Sequence, residues 1–168
     1  ICANSFGFNS FCYGYTPKNP ELYGYLNPLE FLKEDETQIT LLFSGDIMLD
    51  RGVNQIIQKE GGDFRFPFIK IADVLGAADL TFGNLEGPLS DKGEDLGNIY
   101  SFRMFPQGLD GLKFAGFDIL SLANNHIGDW GKEALSDTIL NLENAGIVPI
   151  GAGLNQKETY QSKILEIR

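Results

Sequence analysis

The residues best suited to chemistry fall in three short polar segments: Gly45-Asp46, Asn84-Leu85-Glu86 and Asn124-Asn125-His126. Carboxylate and amide oxygens with a single imidazole are ligands that suit Mn²⁺, Mg²⁺ or Ca²⁺, and they do not exclude zinc or iron. A bound cation of this kind would polarise a phosphoryl or acyl oxygen and lower the pKa of a bound water, and His126 would donate to the leaving group. The residue types therefore predict metal-dependent chemistry.

The same residue types also have an ordinary structural use. Asp and Asn directly after a strand often form Asx turns, so any one of the three segments could be turn chemistry alone. The segment at Asn124 is the least turn-like, because it places three polar side chains directly after the apolar run ILSLA. His126 is the only histidine of the chain, and a lone histidine is commonly a hydrogen-bonded structural residue. The presence of three such segments together favours a site.

Two further sequence features leave alternatives open. Asp129 could orient the ring of His126, or it could cap a helix that begins near Gly131. Gly151-Ala152-Gly153 weakly resembles a phosphate-binding loop, but it lacks the full G-x-G-x-x-G spacing, so a plain tight turn is favoured.

The pattern from Thr37 onward predicts the elements that would position these residues. Short apolar runs alternate with helical periodicity, which is typical of βαβ units around a mainly parallel, buried sheet with flanking helices. The predicted strands are 39–45, 78–83, 117–123, 147–151 and, as a fifth, 163–167. In open α/β sheets ligands bind outside the carboxyl ends of the strands, so the three polar segments are expected to meet at one edge.

Apolar spacing also predicts four helices. One contains Val53, Ile56 and Ile57, a second covers 67–75, and a third covers 109–116. The longest should present one apolar stripe and end with Gly146 at the C′ position. The members of that stripe are Ala134, Leu135, Thr138, Ile139, Leu142 and Ala145.

Composition limits the classes of function. The 168 residues are 43% hydrophobic and 21% charged, which suits one domain with a core, expected over 37–168. A net charge of -10 argues against a nucleic-acid partner, although it is equally the mark of a soluble surface. No run of residues is long and apolar enough to predict a membrane span.

Residues 1–36 form a separate, irregular arm rich in aromatic residues, Gly, Asn and Pro, and it would pack on the main domain or on a partner. A packed extension is the favoured alternative. Its Cys2 and Cys12 are too few for a disulfide framework. Because the chain begins at Ile1 and its last residues read as an unclosed strand, we expect a piece of a longer protein.

Three segments carry a family resemblance: LLFSGDIMLDRGV, DLTFGNLEGPLS and FDILSLANNHIGDWGKEALSDTILNLENAGIVPIGAG. In order and spacing they resemble the CapA family of bacterial capsule (poly-γ-glutamate) biosynthesis proteins, from about residue 39 to the end of the chain. That family is similar to the calcineurin-like metallophosphoesterases. The resemblance implies a truncated metallophosphoesterase-like α/β sandwich with a dinuclear metal centre at the strand ends. It also implies that the remaining half of the domain, with later histidine ligands, lies C-terminal to Arg168.

The resemblance assigns roles by position. Asp46 stands at the superfamily's first metal-binding aspartate, and Asn125-His126 at a ligand asparagine followed by a catalytic histidine. Asn84 occupies the place of a metal-bridging aspartate, with Glu86 close by. Two positions differ, since Met48 replaces an expected histidine and Asn84 is an amide.

These observations lead to three hypotheses of function. The first is a phosphoesterase-type hydrolase that uses a divalent cation (Mn, Mg, Zn or Fe) and acts on an anionic polymer or a phosphorylated small substrate. Its metal ligands would be Asp46, Asn84, Glu86 and Asn125, and its catalytic residues His126 and Asp129. The second is a non-catalytic factor that handles or anchors the capsule polymer. The third, a nucleotide-binding module, rests on Gly151-Ala152-Gly153 alone. The resemblance to the CapA family implies a location at the cell envelope, outside the cytoplasmic membrane, and other capsule-synthesis proteins as partners.

Overall fold

The computed structural model describes residues 38–167, which contain one four-stranded sheet. Its strands are β1 (Leu41–Ile47), β2 (Leu80–Leu85), β3 (Ile119–Ser121) and β4 (Val148–Ile150), in that order across the sheet. Every neighbouring pair is parallel. This confirms the predicted α/β class with a parallel sheet. The predicted arm over 1–36, with Cys2 and Cys12, lies outside the described residues.

Helices connect the strands. They are α1 (Arg51–Lys59), a short 3-10 helix (Phe66–Phe68), α2 (Ala72–Leu75), α3 (Gly108–Ala115), α4 (Gly131–Asn144) and α5 (Gln156–Thr159). Within the described residues, none of these helices has the length and apolar character needed to cross a bilayer.

Helix α4 forms as its sequence predicts. Ala134, Thr138 and Leu142 of the predicted stripe have no exposed surface. Gly146 follows the end of the helix with a φ of 81°, a left-handed conformation that glycine adopts without steric cost. The stripe and its terminating glycine therefore place the helix correctly.

The core lies on one face of the sheet. Leu85, Leu120 and Leu122 are fully buried and pack with Leu112 of α3 and Leu142 of α4. On the β1 strand, by contrast, Leu41 and Phe43 are 51% and 67% exposed. Within residues 38–167, helices thus cover one face, and apolar side chains of the edge strand remain accessible.

Strands β1 and β2 each begin and end two residues later than the sequence predicts. The pairing register between them shifts between Phe43 and Asp46, and Asp46 then pairs with Asn84. A bulge of this kind absorbs an extra residue at Ser44-Gly45 and allows pairing to resume. As a result, Asp46 and Asn84 are in the second-to-last positions of paired strands rather than in the loops that follow them.

Two predicted elements are wrong. The single helix over 67–75 is instead the 3-10 helix and α2, because Pro67 lacks an N–H and sits in the first turn of the 3-10 helix, whose bonds span three residues. The fifth strand over 163–167 does not form in the described part of the chain, and Ile164 is 91% exposed. Alternating apolar residues make a strand only where a neighbouring edge pairs with them.

A buried polar cluster joins the segment after β2 to helix α4. Asp137 accepts hydrogen bonds from Ser90 Oγ (2.6 Å), Asn141 Nδ2 (3.1 Å) and Lys92 Nζ. Burial raises the pKa of Asp137, but the hydrogen bonds from Lys92, Ser90 and Asn141 outweigh it and hold the pKa below the ordinary 3.8. Since the folded-state pKa is lowered, this contribution to stability is complete above pH 3.8 and is lost as the pH falls through the folded-state value.

We expect Asp137→Ala to lower the free energy of unfolding by about 2 kcal/mol at pH 7, because it leaves a buried Ser90 hydroxyl without its acceptor. Urea denaturation would measure the loss, and the gap to wild type should narrow below pH 3.8. The matched control is Glu143→Ala, an exposed carboxylate on the same helix. Equal unfolding midpoints for Asp137→Ala and wild type at pH 7 would contradict the prediction.

Candidate functional site

The candidate site begins with two carboxylates that share one amide. Asp46 at the end of β1 and Asn84 at the end of β2 are register partners, and Glu86 follows β2 directly. Asn84 Nδ2 donates to Asp46 Oδ1 at 2.7 Å and to Glu86 Oε2 at 2.6 Å. The structure therefore brings the first two predicted segments together at the carboxyl edge of the sheet, as strand order requires.

Asn124 connects this group to the loop after β3. Its Nδ2 donates to Asn84 Oδ1 (3.1 Å) and to the Leu85 carbonyl oxygen (2.8 Å), while its Oδ1 accepts from the backbone N–H of His126 (3.0 Å). The last of these bonds is an Asx turn, so turn chemistry does apply at Asn124. The turn also fixes the backbone from which the His126 side chain extends.

Asp129 holds the ring of His126. Its Oδ2 lies 2.8 Å from His126 Nδ1, and the aspartate side chain is almost fully buried. The residue before α4 is Trp130, and it makes no side-chain cap, so Asp129 orients the imidazole and does not cap the helix. A carboxylate at Nδ1 accepts the proton of that nitrogen and leaves Nε2 for other chemistry. Nε2 lies 3.9 Å from Glu86 Oε1.

The segment 91–103 completes the surroundings of Asp129, and the sequence analysis missed it because the segment does not directly follow a strand. Asn98 Nδ2 donates to Asp129 Oδ1 (2.9 Å), and the backbone N–H of Phe102 donates to Oδ2 (2.9 Å). The Phe102 ring packs against the His126 ring, with 4.1 Å between centroids and 36° between planes. Phe102 and Asp129 together restrict the imidazole to one orientation.

Two residues singled out from the sequence are not joined to this group. Asn125 is exposed, and its side chain makes no hydrogen bond within the described residues. Gly151 begins a turn with a φ of 76°, and a Cβ there would come within 2.6 Å of Ala123 Cβ. Gly151 is therefore required by a close approach of two loops, which accounts for the glycine by turn geometry.

The donor set fits a divalent cation only in part. Among residues 38–167, no group of three His, Cys, Asp or Glu side chains lies close enough to hold a metal ion. Two carboxylates nevertheless point at one amide nitrogen, an arrangement that concentrates negative charge and hard oxygen atoms at one place. The described residues thus offer part of a coordination sphere.

Comparison with known proteins decides the family. The family described as "Bacterial capsule synthesis protein PGA_cap" matches residues 40–168, which include every residue of the candidate site. The chain belongs to this family. This match confirms the family resemblance that the sequence motifs indicated, over residues 40–168.

Curated relatives agree with this assignment. The capsule biosynthesis protein CapA of Bacillus anthracis is 33% identical over 130 residues, which cover 75% of this chain and 31% of the relative. A probable polyglutamine synthesis accessory protein of Mycobacterium tuberculosis is 29% identical over 161 residues (77% and 42%). The PGA biosynthesis protein CapA of Bacillus subtilis is 27% identical over 126 residues (71% and 33%). The chain spans about a third of the length of these PGA_cap relatives.

Proposed function

We propose that this PGA_cap chain carries part of a metal-dependent hydrolase site of the metallophosphoesterase type, in a protein of capsule polymer biosynthesis. One observation carries the proposal: Asp46 and Glu86, from two neighbouring strand ends, converge on a single nitrogen of Asn84 within 2.7 Å. Two carboxylates drawn to one point are stabilised by a positive charge there. A divalent cation (Mn, Mg, Zn or Fe) supplies that charge best, given oxygen ligands.

The residues would divide the work as follows. Asp46 and Glu86 would hold the cation, with the side-chain oxygens of Asn84 and Asn125 as further ligands. Bound there, the cation would activate a water and polarise the bond to be broken. Asp129 fixes the His126 ring through Nδ1 at 2.8 Å, and in the protonated ring Nε2–H would then give its proton to the leaving group. The Phe102 ring against His126 limits the access of water to one side of the imidazole.

The names of the relatives suggest the setting. They include a capsule biosynthesis protein and a PGA biosynthesis protein. We therefore expect the substrate to be an anionic polymer such as poly-γ-glutamate. A phosphorylated small molecule is the alternative substrate. The partners would be the remaining half of the domain C-terminal to Arg168 and other capsule-synthesis proteins. Such a protein would act at the cell envelope, outside the cytoplasmic membrane.

Metal titration tests the proposal directly. In the full-length protein, Asp46→Ala and Glu86→Ala should weaken Mn²⁺ binding by at least about tenfold, because each removes a direct ligand, and His126→Ala should weaken it less. Calorimetric titration measures the affinity. Asp73→Ala, which removes an exposed carboxylate on α2, is the control and should bind like wild type. Unchanged affinity in both Asp46→Ala and Glu86→Ala would remove the proposal.

One observation favours a second candidate, a factor that handles or anchors the capsule polymer without hydrolysing it. Asn84 is a neutral amide, and its two hydrogens already satisfy both carboxylates without a cation. A gene-deletion strain distinguishes the two candidates. Full rescue of surface polymer by an Asp46→Ala/His126→Ala copy would favour the binding factor, whereas failure of a stably folded double variant would favour the enzyme.

A further inference from the structure

Arg51 occupies a backbone conformation that its side chain does not explain. Its φ is 52°, and it is the one non-glycine residue with a positive φ among residues 38–167. It lies directly after the loop that leaves the carboxyl end of β1, where α1 begins. The Asp50 carboxylate fixes it there, because Oδ1 accepts from the Arg51 N–H at 2.7 Å while Oδ2 accepts from the Arg103 N–H at 2.9 Å. Strained conformations of this kind concentrate at binding sites.

The guanidinium of Arg51 lies on two aromatic rings of the segment 91–103. Its Cζ is 5.4 Å from the centroid of Phe102 and 5.8 Å from that of Tyr100. Phe102 is the ring that packs against His126 at 4.1 Å. A continuous row of contacts therefore runs from the guanidinium to the imidazole. Aromatic faces hold a guanidinium in place while its N–H groups stay available for hydrogen bonds.

The charge of Arg51 is not neutralised locally. No carboxylate forms an ion pair with it in the part of the chain that the structure describes, whereas Arg65 and Lys92 are each paired with an aspartate. Arg103, the other nearby arginine, lies over the Trp130 ring, with its Cζ 3.6 Å from the ring centroid. Arg51 is exposed, so it is the cation of this region that can meet a ligand.

The proposed substrates need such a cation. The chain has a net charge of -10, and three of its carboxylates, those of Asp46, Glu86 and Asp129, lie at the site itself. An anionic polymer or a phosphorylated molecule would be repelled from this region unless a local positive charge received it. A guanidinium is suited to this role because its fork matches the two oxygens of a carboxylate or phosphate.

We propose that Arg51 binds an oxyanion of the substrate, a carboxylate or phosphate group, and thereby orients the substrate against Asp46 and His126. This inference rests on the proposed function, since it assigns a substrate-binding residue to the same site. Arg51 does not touch the reacting bond. It sets which substrates are accepted, and its strained backbone aims the side chain along the Phe102 and Tyr100 rings.

Arg51→Gly separates binding from folding. Glycine accepts a φ of 52° without strain, which offsets the lost ring contacts and the greater freedom of the unfolded chain, so the variant should unfold within a few degrees of wild type. Binding of a γ-linked glutamate oligomer or of inorganic phosphate to the Mn²⁺-loaded full-length protein should weaken by at least about tenfold, the loss typical of one charge-assisted bidentate contact. Calorimetry with each probe in turn shows whether the carboxylate or the phosphate is the anion that Arg51 receives.

Two further variants define the outcome. Arg51→Lys keeps the charge but loses the planar fork, and its affinity should lie between those of wild type and Arg51→Gly. Lys59→Ala removes an exposed positive charge from the far end of the same helix and should leave both affinities unchanged. Affinities within twofold of wild type for both probes in Arg51→Gly would overturn the inference, as would wild-type protein that binds neither probe. Mn²⁺ binding that still depends on Asp46 would show that the proposed function survives that result.

Discussion

His126→Asn should lower the turnover number for the proposed Mn²⁺-dependent phosphoester hydrolysis by about 10²- to 10⁴-fold, the range that one positioned proton donor contributes. An asparagine amide can place its nitrogen near the position of Nδ1 and keep the hydrogen bond to Asp129, but it offers nothing in place of Nε2. The fold and the cation site should therefore persist while proton transfer is lost. Release of inorganic phosphate from an alkyl phosphoester, whose leaving group needs a proton, measures the effect in the full-length protein.

The pattern of kinetic constants separates this role from simple packing. The KM and the Mn²⁺ affinity of His126→Asn should stay near those of wild type, because the substitution removes an interaction made in the transition state. Leaving groups that need no protonation should be cleaved almost equally by both proteins. A turnover number within threefold of wild type with a poor leaving group would exclude His126 as the proton donor.

Asp129→Asn should be the most disruptive single change at the site. The buried carboxylate accepts from His126 Nδ1, Asn98 Nδ2 and the Phe102 N–H, and an amide in its place turns one acceptor into a donor. We expect a loss of about 3 kcal/mol in the free energy of unfolding, since hydrogen bonds to a charged group are each worth about 1.5–3 kcal/mol. Turnover should fall at least about 100-fold, because the imidazole loses its fixed tautomer and orientation.

Asn98→Ala is the matched control for Asp129→Asn. It removes one donor to Oδ1 and leaves the bond between Oδ2 and His126 intact. Asn98→Ala should therefore lower the free energy of unfolding without shifting the pH profile of turnover. Asp129→Asn should lower the free energy of unfolding and also change the pH profile. If the two variants have the same turnover and the same pH profile, Asp129 acts on the fold alone and does not position His126.

Much of the fold could be predicted because local pattern and tertiary packing agree. The stripe of α4 and its terminal Gly146 needed only helical periodicity and a left-handed residue. Patterns failed where tertiary pairing decides the outcome. A bulge after Phe43 lets β1 continue past its predicted end at Gly45, and Ile164 has no neighbouring strand to pair with in the described region. Neither a register shift nor a missing partner can be deduced from one segment of sequence.

The site was predictable where it lies on strand ends. Asp46, Asn84 and Glu86 share an edge because parallel neighbours bring their carboxyl ends together. Asn98 and Phe102 lie in a segment without regular structure, and their contact with Asp129 depends on the path of a loop. Arg51 lies in one of the motifs that carry the family resemblance, but the sequence analysis assigned it no role. Its position shortly after β1 places it at the same carboxyl edge of the sheet.

The location of a bound metal ion is the most direct test of the central claim, that Asp46 and Glu86 coordinate one cation beside His126. Crystals of the full-length protein grown with Mn²⁺ should give an anomalous peak about 2.0–2.6 Å from an oxygen of each carboxylate, the range for hard cations with oxygen ligands. Asn84 should then have turned its amide oxygen towards the ion. An anomalous peak at another place, with the Asn84 amide still bridging Asp46 and Glu86, would contradict the claim that these two carboxylates coordinate the cation.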